Sequence, residues 1–208
     1  MQRQGGLWAG LLLGLAGCGQ IGEFELPDLG MNFAARPASN SVEIPDRNVT
    51  VAGPAGFCID RRSSKLRQPA PFVILGSCTA LSNRAPQQST PAALLTATVA
   101  PGGNAPPEAF QNFFSTEAGR AALAEDGDPA KVEINDSRVE DGVFLMHLKD
   151  RGLSDFPALS TDRWRAVFSL NNSVVAATVV GMEGHQMSSD DGMRLALAFA
   201  RQVQRASQ

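Results

Sequence analysis

The stretch RWRAVFSLNNSVVAATVV, residues 163–180, predicts the part of the fold on which the rest depends. Apolar residues alternate along both halves, and the two central asparagines tolerate the positive φ that a two-residue type I′ turn requires. We therefore predict a hairpin. Pairing outward from the turn places the following residues opposite each other on one nearly apolar face: Leu170 and Ser173, Phe168 and Val175, Ala166 and Ala177, Trp164 and Val179.

Arg163 and Arg165 lie on the opposite side of the same strand. One face of an antiparallel sheet commonly packs on the core while the other face is exposed to solvent. We therefore expect both arginines to meet solvent or a partner.

Further segments extend this sheet, and two helical segments cover it. Strands are predicted at residues 48–51, 56–60, 72–77, 94–99, 131–135 and 142–149. One helix should run from Pro106 and Pro107 to about Ala124, and a second should follow the N-cap pattern at residues 188–191. This order predicts an α+β domain with a largely antiparallel sheet covered by two main helices.

The same order resembles the PsbP-like fold, in which helices cover an antiparallel sheet that ends in a hairpin and a helix. This resemblance is one of topology and rests on no sequence motif. It implies a binding or assembly module rather than an enzyme, although a fold does not fix a function.

The N-terminus has the pattern of an export signal. Arg3 precedes a short apolar run at residues 7–15, well below the roughly 20 residues of a membrane-spanning helix. Leu15, Ala16, Gly17 and Cys18 then resemble the lipobox of bacterial lipoproteins. The resemblance implies that residues 1–17 are a signal peptide and that Cys18 carries the lipid, palmitate or a similar acyl chain.

Lipidation would fix the protein to a membrane, since each buried methylene contributes about 0.8 kcal/mol and two or three chains hold a protein stably. In the sorting rule of this family, Asp after the cysteine favours the inner membrane, whereas this chain has Gly19. The resemblance therefore implies the periplasmic side of the cell envelope, at the outer rather than the inner membrane.

Residues 18–47 mix Gly, Pro, Asn, Ser and scattered charges without a sustained period, which predicts a lipidated N-terminus followed by a flexible tether. The remaining residues, 48–208, have the length of one domain. The net charge of −3, from 18 basic and 21 acidic residues, does not indicate a nucleic-acid partner.

Cys58 and Cys78 are the cysteines beyond the lipobox. In an oxidising compartment they are expected to form a disulfide. The alternatives are two free buried thiols or a metal site, and the spacing is a poor zinc pattern.

A basic segment lies between these cysteines and contains Arg61, Arg62, Lys65 and Arg67. It could bind an anion such as a lipid phosphate or an acidic glycan. The alternative is a solvated loop, because loops are where charge is normally placed.

The sequence contains two histidines, so any Ser-His-Asp arrangement must use His147 or His185. His147 lies on a predicted strand with apolar neighbours, which is typical of a half-buried structural histidine. His185 lies near Met182 and Met187, and imidazole with thioether suits copper. Met193 is also near these residues in sequence, but it fits the buried side of the predicted C-terminal helix equally well.

Phosphate-loop, nucleophile-elbow and zinc-protease motifs are absent from the sequence. Three hypotheses follow: a non-catalytic envelope module that binds another envelope protein, lipid or glycan; a copper-handling lipoprotein; and a hydrolase whose residues meet only in the fold. No residue pattern calls for a cofactor.

Overall fold

The computed structural model describes residues 38–82, 90–152, 157–185 and 187–208. The predicted signal peptide, Cys18 and most of the predicted tether lie outside the described residues. Within these ranges, no helix is both long enough and apolar enough to cross a membrane.

The domain is α+β, as predicted. The strands are β1 Ser41–Ile44, β2 Val49–Ala52, β3 Phe57–Ile59, β4 Phe72–Ser77, β5 Ala93–Pro101, β6 Val132–Glu140, β7 Val143–Asp150, β8 Leu159–Leu170 and β9 Ser173–Met182. The helices are α1 Cys78–Leu81, α2 Pro107–Ser115, α3 Glu117–Leu123 and α4 Ser189–Ala206. Strands β3 to β9 form a seven-stranded antiparallel sheet in the order β3-β4-β5-β9-β8-β7-β6, and β1 pairs with β2.

The central hairpin of the sheet has the predicted turn and register. Asn171 and Asn172 have φ values of 48° and 59°, as a type I′ turn requires. All four predicted pairs, from Leu170 with Ser173 to Trp164 with Val179, are observed. Local turn chemistry therefore determines the alignment of β8 with β9.

The predicted start of the domain near residue 48 is wrong. Residues 41–44 form β1, which pairs with β2, and Val42 and Ile44 are buried in the core. Four residues are too few to give a recognisable period, so pairing with β2 rather than local pattern stabilises this strand.

The first predicted helix is two helices, α2 and α3. Thr116 between them is extended, and its Oγ1 accepts a hydrogen bond from the Gly119 amide at 3.0 Å, which caps α3. At Gly119 a Cβ would stand 2.0 Å from the Phe113 carbonyl oxygen, so the close approach of the two helices requires glycine.

The two faces of the large sheet are covered unequally. On one face, here called the α4 face, α4 and the β1–β2 pair bury a core that includes Trp164, Phe168 and Phe199. On the other, the groove face, α2 and α3 pack over β6, β7 and β8, burying Phe144, Met146 and Leu148. The groove-face side chains of β4 and β5 are only half-buried, whereas their α4-face neighbours are fully buried.

Candidate functional site: a groove with an arginine floor

A groove of about 630 Å³ lies on the groove face, over β4, β5, β9 and β8 and beside α2 and α3. Ligand sites in proteins commonly have volumes of about 300 to 1,000 Å³. The groove is therefore large enough to hold a small molecule.

The groove is mainly apolar, with a line of polar groups across its floor. Its apolar walls include Phe72, Ile74, Leu94, Phe113, Phe114, Val167, Val174 and Val180. Across the strands, Thr96 is the register partner of Thr178, which is in turn the partner of Arg165. Two hydroxyls and a guanidinium thus share one row of the sheet.

Phe113 lies on the α2 side of the groove and is 45% exposed, the largest exposure among the large apolar side chains of the described residues. Its ring packs edge-on against Phe114, with centroids 5.1 Å apart, and Phe114 stacks on the buried Phe144 at 6.0 Å. The helix is therefore fixed to the sheet by Phe114, while Phe113 remains open to the groove.

Arg163 lines the groove next to α3, and our expectation that solvent meets it is wrong because only 5% of it is exposed. Its NH1 lies 3.4 Å from Asp150 Oδ2 and 3.5 Å from Glu125 Oε2. Asp150 is fully buried and also accepts hydrogen bonds from the amides of Glu125 and Gly152 at 2.9 Å. Arg163 is therefore the counterion of a buried carboxylate.

Arg165 lies on the same face but has different partners. Its Nε donates to Thr178 Oγ1 at 3.1 Å, and no carboxylate of the described residues lies within ion-pair distance of it. Burial, together with the charge of Arg163, lowers the pKa of the Arg165 guanidinium to about 10. The effects of Glu125 and Asp150 are smaller, so Arg165 remains protonated at neutral pH with little compensation.

On the α4 face, His147 joins two residues that are distant in sequence. Its Nε2 lies 2.8 Å from Asp162 Oδ1 and its Nδ1 lies 3.1 Å from Ser189 Oγ. The ring stacks on Trp164 at 5.1 Å, and only 12% of the side chain is exposed. This Ser-His-Asp row has the composition of a catalytic triad, but the ring nitrogens are exchanged relative to the serine-protease arrangement.

The predicted copper loop lies between β9 and α4. Met182 and His185 are bridged through their backbones, and His185 and Met187 line a second cavity of about 420 Å³ together with Asp191. In the described part of the chain, no group of three or more His, Cys, Asp or Glu side chains is placed to hold a metal ion. Copper binding by this loop stays a prediction.

The predicted disulfide is present and joins Cys58 in β3 to Cys78 at the start of α1. The chain between these cysteines carries the basic loop, whose Arg61, Arg62, Lys65 and Arg67 are all exposed. Asp60 orders the loop by accepting hydrogen bonds from the Ser63 hydroxyl and the Arg62 amide, and these bonds, the first above all, lower the pKa of its carboxyl. Anion binding by the loop stays a prediction.

Sequence reasoning missed the groove itself. The alternation in β5 and β9 could have shown Thr96 and Thr178 facing one side, but the order of strands in the sheet is needed to place them beside Arg165. The row around His147 was missed for the same reason.

The sequence matches no protein-family model and no curated protein. The function must therefore be argued from the geometry of the chain itself.

Proposed function

We propose that this protein is a lipid-anchored module of the bacterial cell envelope that binds an apolar ligand in the groove. In this proposal Cys18 carries the anchor, residues 1–17 are removed as a signal peptide, and the domain stands on the periplasmic side of the outer membrane. The observation that supports binding is the groove itself. On the groove face, the side chains of β4 and β5 that line it are mainly apolar and only half-buried.

The function is proposed as binding rather than catalysis because of what lines the groove. Its polar groups are threonine hydroxyls and the side chains of Arg163, Arg165 and Glu125. Arginine remains charged and cannot serve as a general base at neutral pH, and the Glu125 carboxylate is held in an ion pair with Arg163. Binding sites have this composition, a mostly apolar wall with a few placed polar groups.

The test is binding of a neutral apolar dye, N-phenyl-1-naphthylamine, to a chain that starts at Gly19. This chain keeps every residue that the structure describes, from residue 38 to residue 208. Ala176 lines the groove on β9, and Ala176→Trp should fill it and abolish the rise in dye fluorescence. Val139 on β6 is exposed and does not line the groove, so Val139→Trp is the matched control. Equal dye binding by both variants would refute the proposal.

A second candidate function, ester hydrolysis, is favoured by the row of Ser189, His147 and Asp162. Ser189 Oγ would attack the ester carbonyl carbon while His147 takes its proton, and the leaving alcohol would recover that proton before water releases the acid. The groove and the second cavity are lined by neither Ser189 nor His147, which makes this function the weaker candidate.

Hydrolysis of p-nitrophenyl acetate tests this second function. If it is correct, Ser189→Ala should reduce p-nitrophenolate release by about 100-fold or more. Equal rates for the parent and the variant would leave His147 as a structural histidine that links α4 to the sheet.

A further inference from the structure

We propose that the ligand of the groove is a single-chain amphiphile with one carboxylate head, and that Arg165 binds this head. The inference rests on the proposed binding function and names the class of ligand. Three observations support it: the state of Arg165, the hydroxyls beside it, and the shape of the apolar surface.

The first observation is the contrast between the two arginines of the groove. Arg163 has its counterions within the protein, the buried Asp150 and the carboxylate of Glu125. Arg165 has none among the described residues, although it lies in a mainly apolar groove where a charge is poorly solvated. Placing an unpaired cation in such a position is costly, and a bound anion would remove this cost.

The second observation is how Arg165 is held. Thr178 is 6% exposed and accepts the hydrogen bond from Arg165 Nε, which fixes the guanidinium plane. Among the described residues neither terminal nitrogen of Arg165 donates to a protein acceptor, so both can donate to a ligand. A guanidinium presents these donors as a fork that matches the two oxygens of a carboxylate. The Thr178 hydroxyl uses its oxygen as the acceptor, so its own proton is free for a further hydrogen bond.

The third observation is the apolar surface on both sides of the polar row. On one side lie Leu94 and Val180, with the ion-paired Arg163 at the end of their row. On the other side lie Phe72, Ala176 and Val167, with Thr98 between the first two. With its volume of about 630 Å³, the groove suits a ligand of ordinary small-molecule size. These features favour one flexible hydrocarbon chain ending in a single charge.

The test compares dodecanoate with dodecanol, two ligands with the same chain and different heads. Both are titrated below their aggregation limits into the chain starting at Gly19, by displacement of N-phenyl-1-naphthylamine. The parent should bind dodecanoate at least about tenfold more tightly, since hydrogen bonds to charged groups contribute that much. Arg165→Gln should remove this preference, so that dodecanoate binds no more tightly than dodecanol.

The control is the double variant Arg61→Gln and Arg62→Gln, which removes two exposed cations from the basic loop. It should retain the preference for the acid.

Loss of the preference in this control, or equal affinity of the parent for acid and alcohol, would overturn the assignment of Arg165 while leaving the groove as the site that binds the dye. Failure of both ligands to displace the dye would overturn this inference alone when Ala176→Trp still abolishes dye binding. If both ligands fail to displace the dye and Ala176→Trp binds the dye as well as the parent does, the proposed function would be overturned too.

Discussion

Arg163 and Arg165 are two residues apart on β8 and face the same side of the sheet, but they have different surroundings. The side chain of Arg163 is 6% exposed and neutralises the fully buried Asp150. Arg165 is half-buried, and its one hydrogen bond within the described residues is to an uncharged hydroxyl. We infer that the first arginine maintains the fold and that the second is available for a ligand.

This difference predicts unequal effects of the same substitution on the free energy of unfolding. Arg163→Met leaves the Asp150 carboxylate buried without its cation and should lower the free energy of unfolding by about 3 to 5 kcal/mol. Arg165→Met replaces a poorly solvated charge by an apolar chain, and its unfolding free energy should stay within about 0.5 kcal/mol of the parent or rise. Urea denaturation measures both; a larger loss for Arg165→Met would contradict these roles.

The affinity for dodecanoate should depend on pH in the alkaline range. Burial lowers the pKa of the Arg165 guanidinium to about 10, well below that of a free arginine, so the protonated form that binds an anion predominates below about pH 10. The acid should bind equally at pH 7 and pH 8.5 and more weakly as the pH rises through about 10. Glu125, Asp150 and Arg163 are the charges facing Arg165. Dodecanol gives the reference profile, and a parallel decline of both ligands would indicate unfolding instead.

At the residue scale, sequence patterns could predict which side of β8 the arginines face but not what they meet there. Alternation along the strand places both on one side. Asp150 comes from the end of β7 and Glu125 follows α3, 38 residues before Arg163 in the chain. The pairing of β7 with β8 brings Asp150 to this guanidinium, and the packing of α3 against the sheet brings Glu125.

The elements of the fold differ in how far local sequence determines them. Asn171 and Asn172 determine the β8–β9 hairpin because the turn alone fixes the register. By contrast, β1 depends on its pairing with β2, and the break at Thr116 depends on a threonine cap and the contact at Gly119. The strand β1, which has no local signal, and the helical segment that divides at Thr116 were therefore predicted incorrectly.

Two phenylalanines test the assignment of core and groove. Phe168 on β8 is 1% exposed in the α4-face core, whereas Phe113 on α2 is 45% exposed in the groove. Phe168→Ala should lower the free energy of unfolding by about 3 to 5 kcal/mol. Phe113→Ala should change it by about 0.5 kcal/mol or less and should weaken dye binding. Denaturant unfolding and dye titration of both variants check this; similar unfolding losses would contradict the unequal covering of the sheet.

At the scale of the whole molecule, the proposed attachment to a membrane requires the thiol of Cys18. Cys18→Ser should abolish incorporation of labelled palmitate, because serine lacks the thiol that forms the thioether. The precursor should also keep its signal peptide. The control is the double variant Cys58→Ser and Cys78→Ser, which should still be labelled. Labelling of Cys18→Ser at the level of the parent would refute the lipid anchor.

The packing of Trp164 gives the folded domain a built-in optical reporter. The sequence has two tryptophans, and the other, Trp8, lies within the predicted signal peptide, so a chain starting at Gly19 contains one indole. Trp164 is 1% exposed against the His147 ring, and Gly192 packs so closely that a Cβ there would stand 2.1 Å from the indole. Its fluorescence should shift to longer wavelength when water reaches it on unfolding. Trp164 faces α4 and not the groove. Its emission should therefore report unfolding of the domain and should not respond to a ligand bound in the groove on the opposite face of the sheet.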